Sequence, residues 1–200
     1  IACLHHYFQW SDDRELVERL WPNVLAAYRC CVASLDDDGL LSNRKLGIAA
    51  VEAGSLVGSI RADVYLQGIW ISALKALKHL ASLRGDEQLE SDVEARTGQA
   101  TRSLEPFWSE EHGRYAFAAL SDGAFNFDST SYQALALSRA ETMPRADRRN
   151  ANAAALNRPN LASDWGVRLF ADDSSVYDPT SYNTGSVFPY TNNFAILASF

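Results

Sequence analysis

Between Ser163 and Pro189 the chain gathers aromatic rings, a fixed cation, amides, hydroxyls and glycines, with few aliphatic side chains among them. The stretch has two parts, Ser163-Asp164-Trp165-Gly166-Val167-Arg168 and Tyr177-Asp178-Pro179-Thr180-Ser181-Tyr182-Asn183-Thr184-Gly185-Ser186-Val187-Phe188-Pro189. Such a mixture suits a cleft that holds a sugar. Flat apolar rings stack on the C–H faces of a pyranose, and planar donors and acceptors pair with its hydroxyls. Trp165 supplies a candidate platform and Arg168 a fixed donor, although Arg168 can equally brace the loop through carbonyls or a carboxylate. Tyr182, Asn183 and Gly185 are candidates for a cleft edge, Gly185 because it permits close backbone approach.

Three carboxylates stand near this chemistry. Glu52 is isolated in the otherwise uncharged loop Gly47–Ser55, and an apolar setting would raise its pKa as a general acid requires. Asp63 precedes a strongly helical stretch and has a competing role as its N-cap. Asp164 lies beside Trp165, where it can bind sugar hydroxyls or act as a base. Asp178-Pro179 is explained by turn formation alone.

The elements that must position these groups follow from periodicity. Ser11-Asp12-Asp13 offers an N-cap ahead of Leu16, Val17 and Leu20; Pro22 is expected to break or kink that helix, with Val24 to Leu35 continuing it. Asp36-Asp37-Asp38-Gly39 predicts a turn, without the ligand alternation of a calcium loop. Residues 40–60 are rich in Gly, Ala and Ser and predict irregular backbone. From Asp63 to Leu83 apolar residues recur at helical spacing up to Gly85. Gln67 and Trp70 lie on this helix; either can face a cleft, Trp70 fitting a core better. A second amphipathic helix is expected from about Asp86 to Trp108. Tyr115–Leu120 and Ala124–Phe127, flanking Ser121-Asp122-Gly123, predict a short hairpin. Helices are expected near Ser129–Arg139, Arg145–Asn157 and Asn192–Phe200.

About six helices result, joined alternately by short turns and long loops. This suits antiparallel helix pairs with the turns on one rim and a cleft built by the loops on the other. The fold class expected is all-α, about three antiparallel helical hairpins with a minor β-hairpin, forming one domain over residues 1–200.

Composition narrows the function. Two hundred residues with 47% apolar side chains make a globular domain with a substantial core, and the formal charge of −7 argues against nucleic-acid or anionic-membrane partners. No apolar run approaches a membrane span, and no signal peptide stands at the start. Ile1 and Phe200 do not look like natural termini, so the compartment is left open, with a soluble cytoplasmic protein the favoured expectation. Cys3, Cys30 and Cys31 make no disulfide framework or zinc spacing and are expected to be small buried hydrophobes. His5, His6, His79 and His112 offer no ligand spacing. No metal or other cofactor is expected.

Three blocks, in order, resemble the six-hairpin or (α/α)6-toroid glycosidases, most closely bacterial amylo-alpha-1,6-glucosidase and glycogen-debranching-like proteins. Tyr65-Leu66-Gln67-Gly68-Ile69-Trp70, with Ala73-Leu74 and Leu83-Arg84-Gly85-Asp86, resembles their "QGY…AL…LA…GD" helix. Phe107-Trp108 and Gly113-Arg114-Tyr115-Ala116 resemble "FW…GxYA", and the cluster described first resembles "SGWGIRTL…YNPxSYHNGSVWP". The chain departs from that pattern at Asp164 (usually Gly), Asn183 (often His) and Phe188 (usually Trp).

The resemblance implies a glycoside hydrolase acting on a glucan or related oligosaccharide by an inverting mechanism. In that mechanism one carboxyl protonates the leaving oxygen and a second activates water, the pair being roughly 6.5–9.5 Å apart. A family "GWxDS" loop places a carboxyl near Glu52, which makes Glu52 the candidate acid; Asp164 is the second catalytic candidate. Asp63, Gln67, Trp165, Arg168, Tyr182, Asn183 and Gly185 are the substrate-binding candidates. The family toroid takes about twice this length, and its usual general base lies beyond the last block. A non-catalytic, sugar-binding half-toroid module is therefore the alternative. Half a ring would expose apolar helix faces, which predicts a homodimer that buries them.

Overall fold

Helix α4 (Val64–Leu83) is the spine of the molecule, and the computed structural model around it describes residues 1–46, 53–134 and 145–198. Asp63 caps α4, its carboxylate accepting the Leu66 N–H at 2.7 Å. Trp70, Ile71, Leu74, Leu77 and Leu80 are buried at three- and four-residue spacing along it. Each such side chain contributes about 1.5–3 kcal/mol by leaving water. Gly85 ends the run in the left-handed region, at φ 68°. A three-residue turn then leads to α5 (Glu87–Ser103), capped by Asp86 on the Leu89 N–H. The helix packs back along α4.

Helices α1 (Ala2–Ser11) and α2 (Arg14–Ala33) form the other fully described hairpin. Asp13 caps α2 through the Leu16 N–H at 2.9 Å, as the sequence predicts, whereas α1 has no counterpart among the expected helices. Pro22 neither breaks nor divides α2. It lies on the exposed side, where water can satisfy the Glu18 carbonyl that proline leaves without a donor. The guanidinium of Arg84 sits 4.5 Å over the Trp21 ring, and the Tyr28 ring stacks 6.1 Å from Trp70, so α2 runs antiparallel to α4. Two more helices, α6 (Ala146–Leu156) and α7 (Pro189–Ala198), stand near the expected positions; most of the helix expected over Ser129–Arg139 lies outside the described residues. No described helix is long and apolar enough to cross a membrane.

The short turns 12–13 and 84–86 lie at one end, and segments 34–46, 53–63, 104–132 and 157–188 lie at the other. These loops knit into one rim. Short α3 (Asn43–Leu46) and a 3-10 turn (Gly54–Ser59) order part of the stretch expected to be irregular. The expected hairpin is β4 (Ala118–Leu120) and β5 (Phe125–Asn126), and β1 (Ile60–Asp63) adds a third antiparallel strand, in the order β1-β4-β5. Thr130 bridges Phe170, and Ser174 Oγ donates to Asp128 at 2.8 Å. Below the rim, Ile60, Tyr65, Phe117, Tyr132, Leu169 and Phe170 form a second hydrophobic cluster.

Some expectations are corrected. Helix α5 stops at Ser103, not Trp108, because Pro106 imposes a 3-10 turn over Glu105–Phe107; Trp108 then starts β2 (Trp108–Ser109), paired with β3 (Arg114–Tyr115). Cys3 and Cys30 are exposed, off the apolar faces of their helices, whereas Cys31 is half-buried and packs against the core. His5 and His79, distant in sequence, share a 2.6 Å hydrogen bond between α1 and α4.

Candidate functional site

Where the N-termini of α4 and α7 meet the rim, a connected set of aromatic rings emerges from the core. The buried Tyr65 ring packs edge-on to Tyr132, with centroids 5.6 Å apart, and its hydroxyl donates to the Tyr190 hydroxyl at 3.1 Å. Tyr190 continues to Phe188 at 6.3 Å, Phe188 to Tyr182 at 5.7 Å, and Tyr190 also to Phe194 at 5.2 Å. Tyr65 is anchored in the lower cluster, whereas Tyr190 is 45% and Tyr182 66% exposed. Burial, reinforced by the Tyr190 bond, pushes the Tyr65 hydroxyl far above the ordinary tyrosine range. It therefore stays protonated and able to donate to Tyr190.

Asn183 follows Tyr182 at the same edge, half-buried, with its N–H held by Ser181 Oγ at 3.2 Å. Glu52 lies outside the described residues. The chain just after it is placed: Gly54, at φ 56°, lies against Thr184 and Val176, so that a Cβ there would stand 3.4 Å from Thr184 Cγ2. Gly54 thus joins the rim beside Thr184.

The other half of the motif is a hairpin, β6 (Ala162–Ser163) against β7 (Gly166–Val167), with Asp164 and Trp165 at its exposed tip. Ser163 Oγ donates to the Gly166 carbonyl at 2.8 Å and accepts the Trp165 N–H at 3.3 Å. Asn192 of α7 then pins the hairpin. Its Oδ1 accepts the Val167 N–H at 2.7 Å, and its Nδ2 donates to the carbonyls of Val167 at 2.9 Å and Phe188 at 3.0 Å. Gly166 has φ 127°, and a Cβ there would stand 2.5 Å from Asn192 Oδ1, so both conformation and space require glycine.

The turn geometry of α7 separates the two halves. Thr191 and Ala195 point into the core. Tyr190, Phe194 and Leu197 occupy one flank, and Pro189, Asn192 and Ile196 the other. Tyr182 belongs with the Tyr190 flank. Trp165, 88% exposed, belongs with the second, where it walls an apolar groove of about 680 Å³ with Leu156, Val167, Pro189, Ala195 and Ile196. The compositional cluster is thus two surfaces, divided by one helix.

Several candidates hold the rim together. Arg168 Nη1 donates to the Ala162 carbonyl at 3.1 Å and reaches those of Pro159 and Asn160 at 3.5 Å, the bracing alternative left open by the sequence. Gly185 receives the Asp178-Pro179 turn so closely that a Cβ would overlap the Asp178 carbonyl oxygen; protein backbone, not a ligand, makes the close approach. Gln67 is buried and clamps Leu41, accepting its N–H and donating to its carbonyl, both at 3.0 Å. Trp70 is core. Asp63 is fully buried between the Leu66 N–H and the Asn43 side-chain amide, which donates at 2.8 Å; burial raises its pKa against the pull of these bonds. Asp178 accepts the Thr180 hydroxyl and N–H, at 2.7 and 2.8 Å, which lowers its pKa and fixes the turn. Among the described residues no group of three or more His, Cys, Asp or Glu side chains is arranged to hold a metal.

Tyr65, Phe188, Tyr190 and Asn192 are absent from the sequence-derived candidates. Tyr65 and Phe188 lie inside the quoted motifs, and Tyr190 and Asn192 follow Pro189 closely.

With this geometry, residues 51–198 match the model of the mannosylglycerate hydrolase MGH1-like glycoside hydrolase domain. The chain belongs to this family. Similar solved structures include the GH63 mannosylglycerate hydrolase from Thermus thermophilus in complex with Tris and D-glycerate. That structure is 18% identical with a TM-score of 0.79, and the match covers 100% of this chain and 63% of the other. A GH78 family rhamnosidase of Bacillus sp. GL1 is also 18% identical, with a TM-score of 0.65, over 78% of this chain and 16% of its own. A sialidase is 13% identical with a TM-score of 0.74, over 94% and 18%. These likenesses show the fold, a helical glycosidase toroid with a minor β component. The chain spans less than two thirds of the length of each of these structures. No curated protein sequence matches it.

Proposed function

We propose that the chain forms the sugar-binding wall of a glycoside hydrolase whose cleft lies over Tyr65, Tyr182, Asn183, Phe188 and Tyr190. The observation that carries this reading is the Tyr65–Tyr190 hydroxyl contact at the foot of an outward-facing aromatic run. Rings and hydroxyls converge there as a pyranose requires. Glu52 is the proposed general acid, an isolated carboxyl two residues before Gly54, which packs against Thr184. Asp164, at the hairpin tip across α7, is the rival carboxylate for the water-activating role.

The substrate we favour is a neutral oligosaccharide of the glucan type, as for the amylo-alpha-1,6-glucosidases. None of the aromatic group's described members is cationic, and the nearby Arg168 is engaged by carbonyls, so little favours an anionic aglycone such as glycerate. Inversion follows the two-carboxylate scheme, with one acid and one water-activating base.

A non-catalytic sugar-binding module is the second reading, favoured by the absence of any carboxylate among the described members of the aromatic group. Hydrolysis of aryl glycosides and short glucans by the wild type, Glu52→Gln and Asp164→Asn separates the two. Turnover that falls at least about 10²-fold in Glu52→Gln supports the enzyme. Binding without turnover in all three establishes the module, and neither binding nor turnover sinks both readings.

A further inference from the structure

The rim carries a second pocket, between the C-terminal end of α5, β1 and β5, that the sugar wall does not use. It holds about 370 Å³, within the range of about 300–1,000 Å³ typical of small-molecule sites. Its apolar floor is Leu40, Phe107 and Phe125. These residues belong to the main hydrophobic core or pack against it, whereas the sugar wall rises from the second cluster. Phe107 is fully buried, and its ring meets the half-buried Phe125 ring edge-on at 5.1 Å. Phe125 continues to Phe127 at 6.4 Å, and Phe127 stacks 4.3 Å from the exposed His112. As at the wall, a ring anchored in the core carries others toward solvent.

The polar side of the pocket is built by the turn Asp36-Asp37-Asp38-Gly39. Gly39 has φ 82°, and a Cβ there would stand 2.8 Å from Gln99 Cγ and 2.9 Å from Ser103 Oγ, so glycine lets the turn press on α5. Arg61 of β1 spans the turn, with one guanidinium nitrogen 3.3 Å from Asp36 and another 2.8 Å from Asp38. Ser103 Oγ donates to the Asp38 carbonyl at 2.5 Å. The Arg61–Asp38 pair therefore presents a planar cation and a carboxylate already fixed in place. Gln99 and Arg102, three residues apart on α5, line the same pocket. Neither the Gln99 amide nor the Arg102 guanidinium has a hydrogen-bond or ion-pair partner among the described residues. Rings beneath planar donors and acceptors make the combination that receives a pyranose.

We infer that this pocket is a second carbohydrate-binding site. It takes one neutral pyranose unit of an oligosaccharide, with a C–H face on Phe125 and hydroxyls on Gln99, Arg102 and the Arg61–Asp38 pair. Asp38 is the one carboxylate among its lining residues and is held by Arg61, so the site binds sugar without cleaving it. On the reading given above for the cleft, it tethers a long chain and raises its local concentration; binding itself does not depend on that reading.

Heteronuclear NMR of the full chain titrated with maltotriose tests it, because backbone amides report the two sites separately. Saturable shifts are expected at Gln99, Arg102, Ser103 and Phe125. The double variant Gln99→Ala/Arg102→Ala changes two exposed positions of α5. It should weaken binding at these amides about tenfold, and each single variant about threefold, while the responses of Asn183 and Tyr190 stay as in the wild type. No saturable shift at the four amides, or an affinity there unchanged in the double variant, overturns the second site even where Asn183 and Tyr190 respond. Shifts at the four amides alone, weakened in the double variant, uphold it and remove the cleft reading instead. Silence at both groups overturns both.

Discussion

Tyr65 and Tyr190 meet hydroxyl to hydroxyl at 3.1 Å, joining the first turn of α4 to the first turn of α7 although 125 residues separate them. Tyr65 is held by the core and donates; Tyr190 passes the polarity outward. A ring stack rigid at its base and hydroxylated at its mouth is preorganised for a sugar, because little side-chain entropy is lost on binding.

Removing the outer hydroxyl should therefore weaken oligosaccharide binding without unfolding the chain. Tyr190→Phe is expected to cost about 0.5–1.5 kcal/mol, the net worth of one neutral hydrogen bond. Tyr182→Ala, which removes an exposed face, should weaken binding about tenfold, or about 1.4 kcal/mol. Calorimetric titration checks both. Equal affinities for all three proteins would disconnect these rings from the ligand.

Asp63 predicts an unusual pH response. Its folded pKa is raised by burial, so the native state holds the proton more tightly than the unfolded chain. The stability this group contributes is fully present below its unfolded pKa of about 3.9. It is lost as pH rises through the folded value. Asp63→Asn keeps an acceptor for the Leu66 N–H, and a rotated Asn43 amide can present its otherwise unpartnered Oδ1 to the new donor. The variant should lack this acid-side gain. Asp63→Ala, which removes the cap, should lose about 1–2 kcal/mol at neutral pH. Denaturant titrations at several pH values read both; a wild type and Asp63→Asn with the same pH slope would refute the assignment.

Gly185→Ala should destabilise through overlap with the Asp178 carbonyl oxygen. A cost of about 1–3 kcal/mol is expected, a fall in Tm of roughly 2–4 °C per kcal/mol at this size. If thermal denaturation is unchanged, the turn does not pack on Gly185 as described.

Asn192→Ala removes three hydrogen bonds and takes the side-chain partner from the Val167 N–H and carbonyl, while the Phe188 carbonyl keeps the Asn192 N–H and the Thr191 hydroxyl. A loss of about 2–3 kcal/mol follows. Hydrogen exchange should quicken first at Val167. Unaltered protection of that amide would show that the strand bonds alone hold the hairpin.

The sequence carried the helical spine well. Asp63 and Gly85 bound α4, and the alternation of turns and long loops describes the rim, because caps and periodicity are local signals. Pro22 misled because only the fold shows that its side of α2 faces water. The site was half legible. Composition found the Ser163–Pro189 cluster but could not show that α7 passes between Trp165 and Tyr182, since which flank a residue takes depends on how the helix seats in the core. Gln67 and Asp63 looked available to a ligand because burial and backbone partners such as Leu41 lie far off in sequence. Tyr65 joined the site only through its partner 125 residues away.

The most direct measurement is a crystal of the chain soaked with a short gluco-oligosaccharide. Sugar density is predicted against the exposed faces of Tyr182, Phe188 and Tyr190, with one hydroxyl within hydrogen-bonding distance of Tyr190 Oη and the Glu52 carboxyl turned toward a glycosidic oxygen. Sugar found only in the groove between Trp165 and Ile196, or a rim left bare at saturating ligand, would contradict the account.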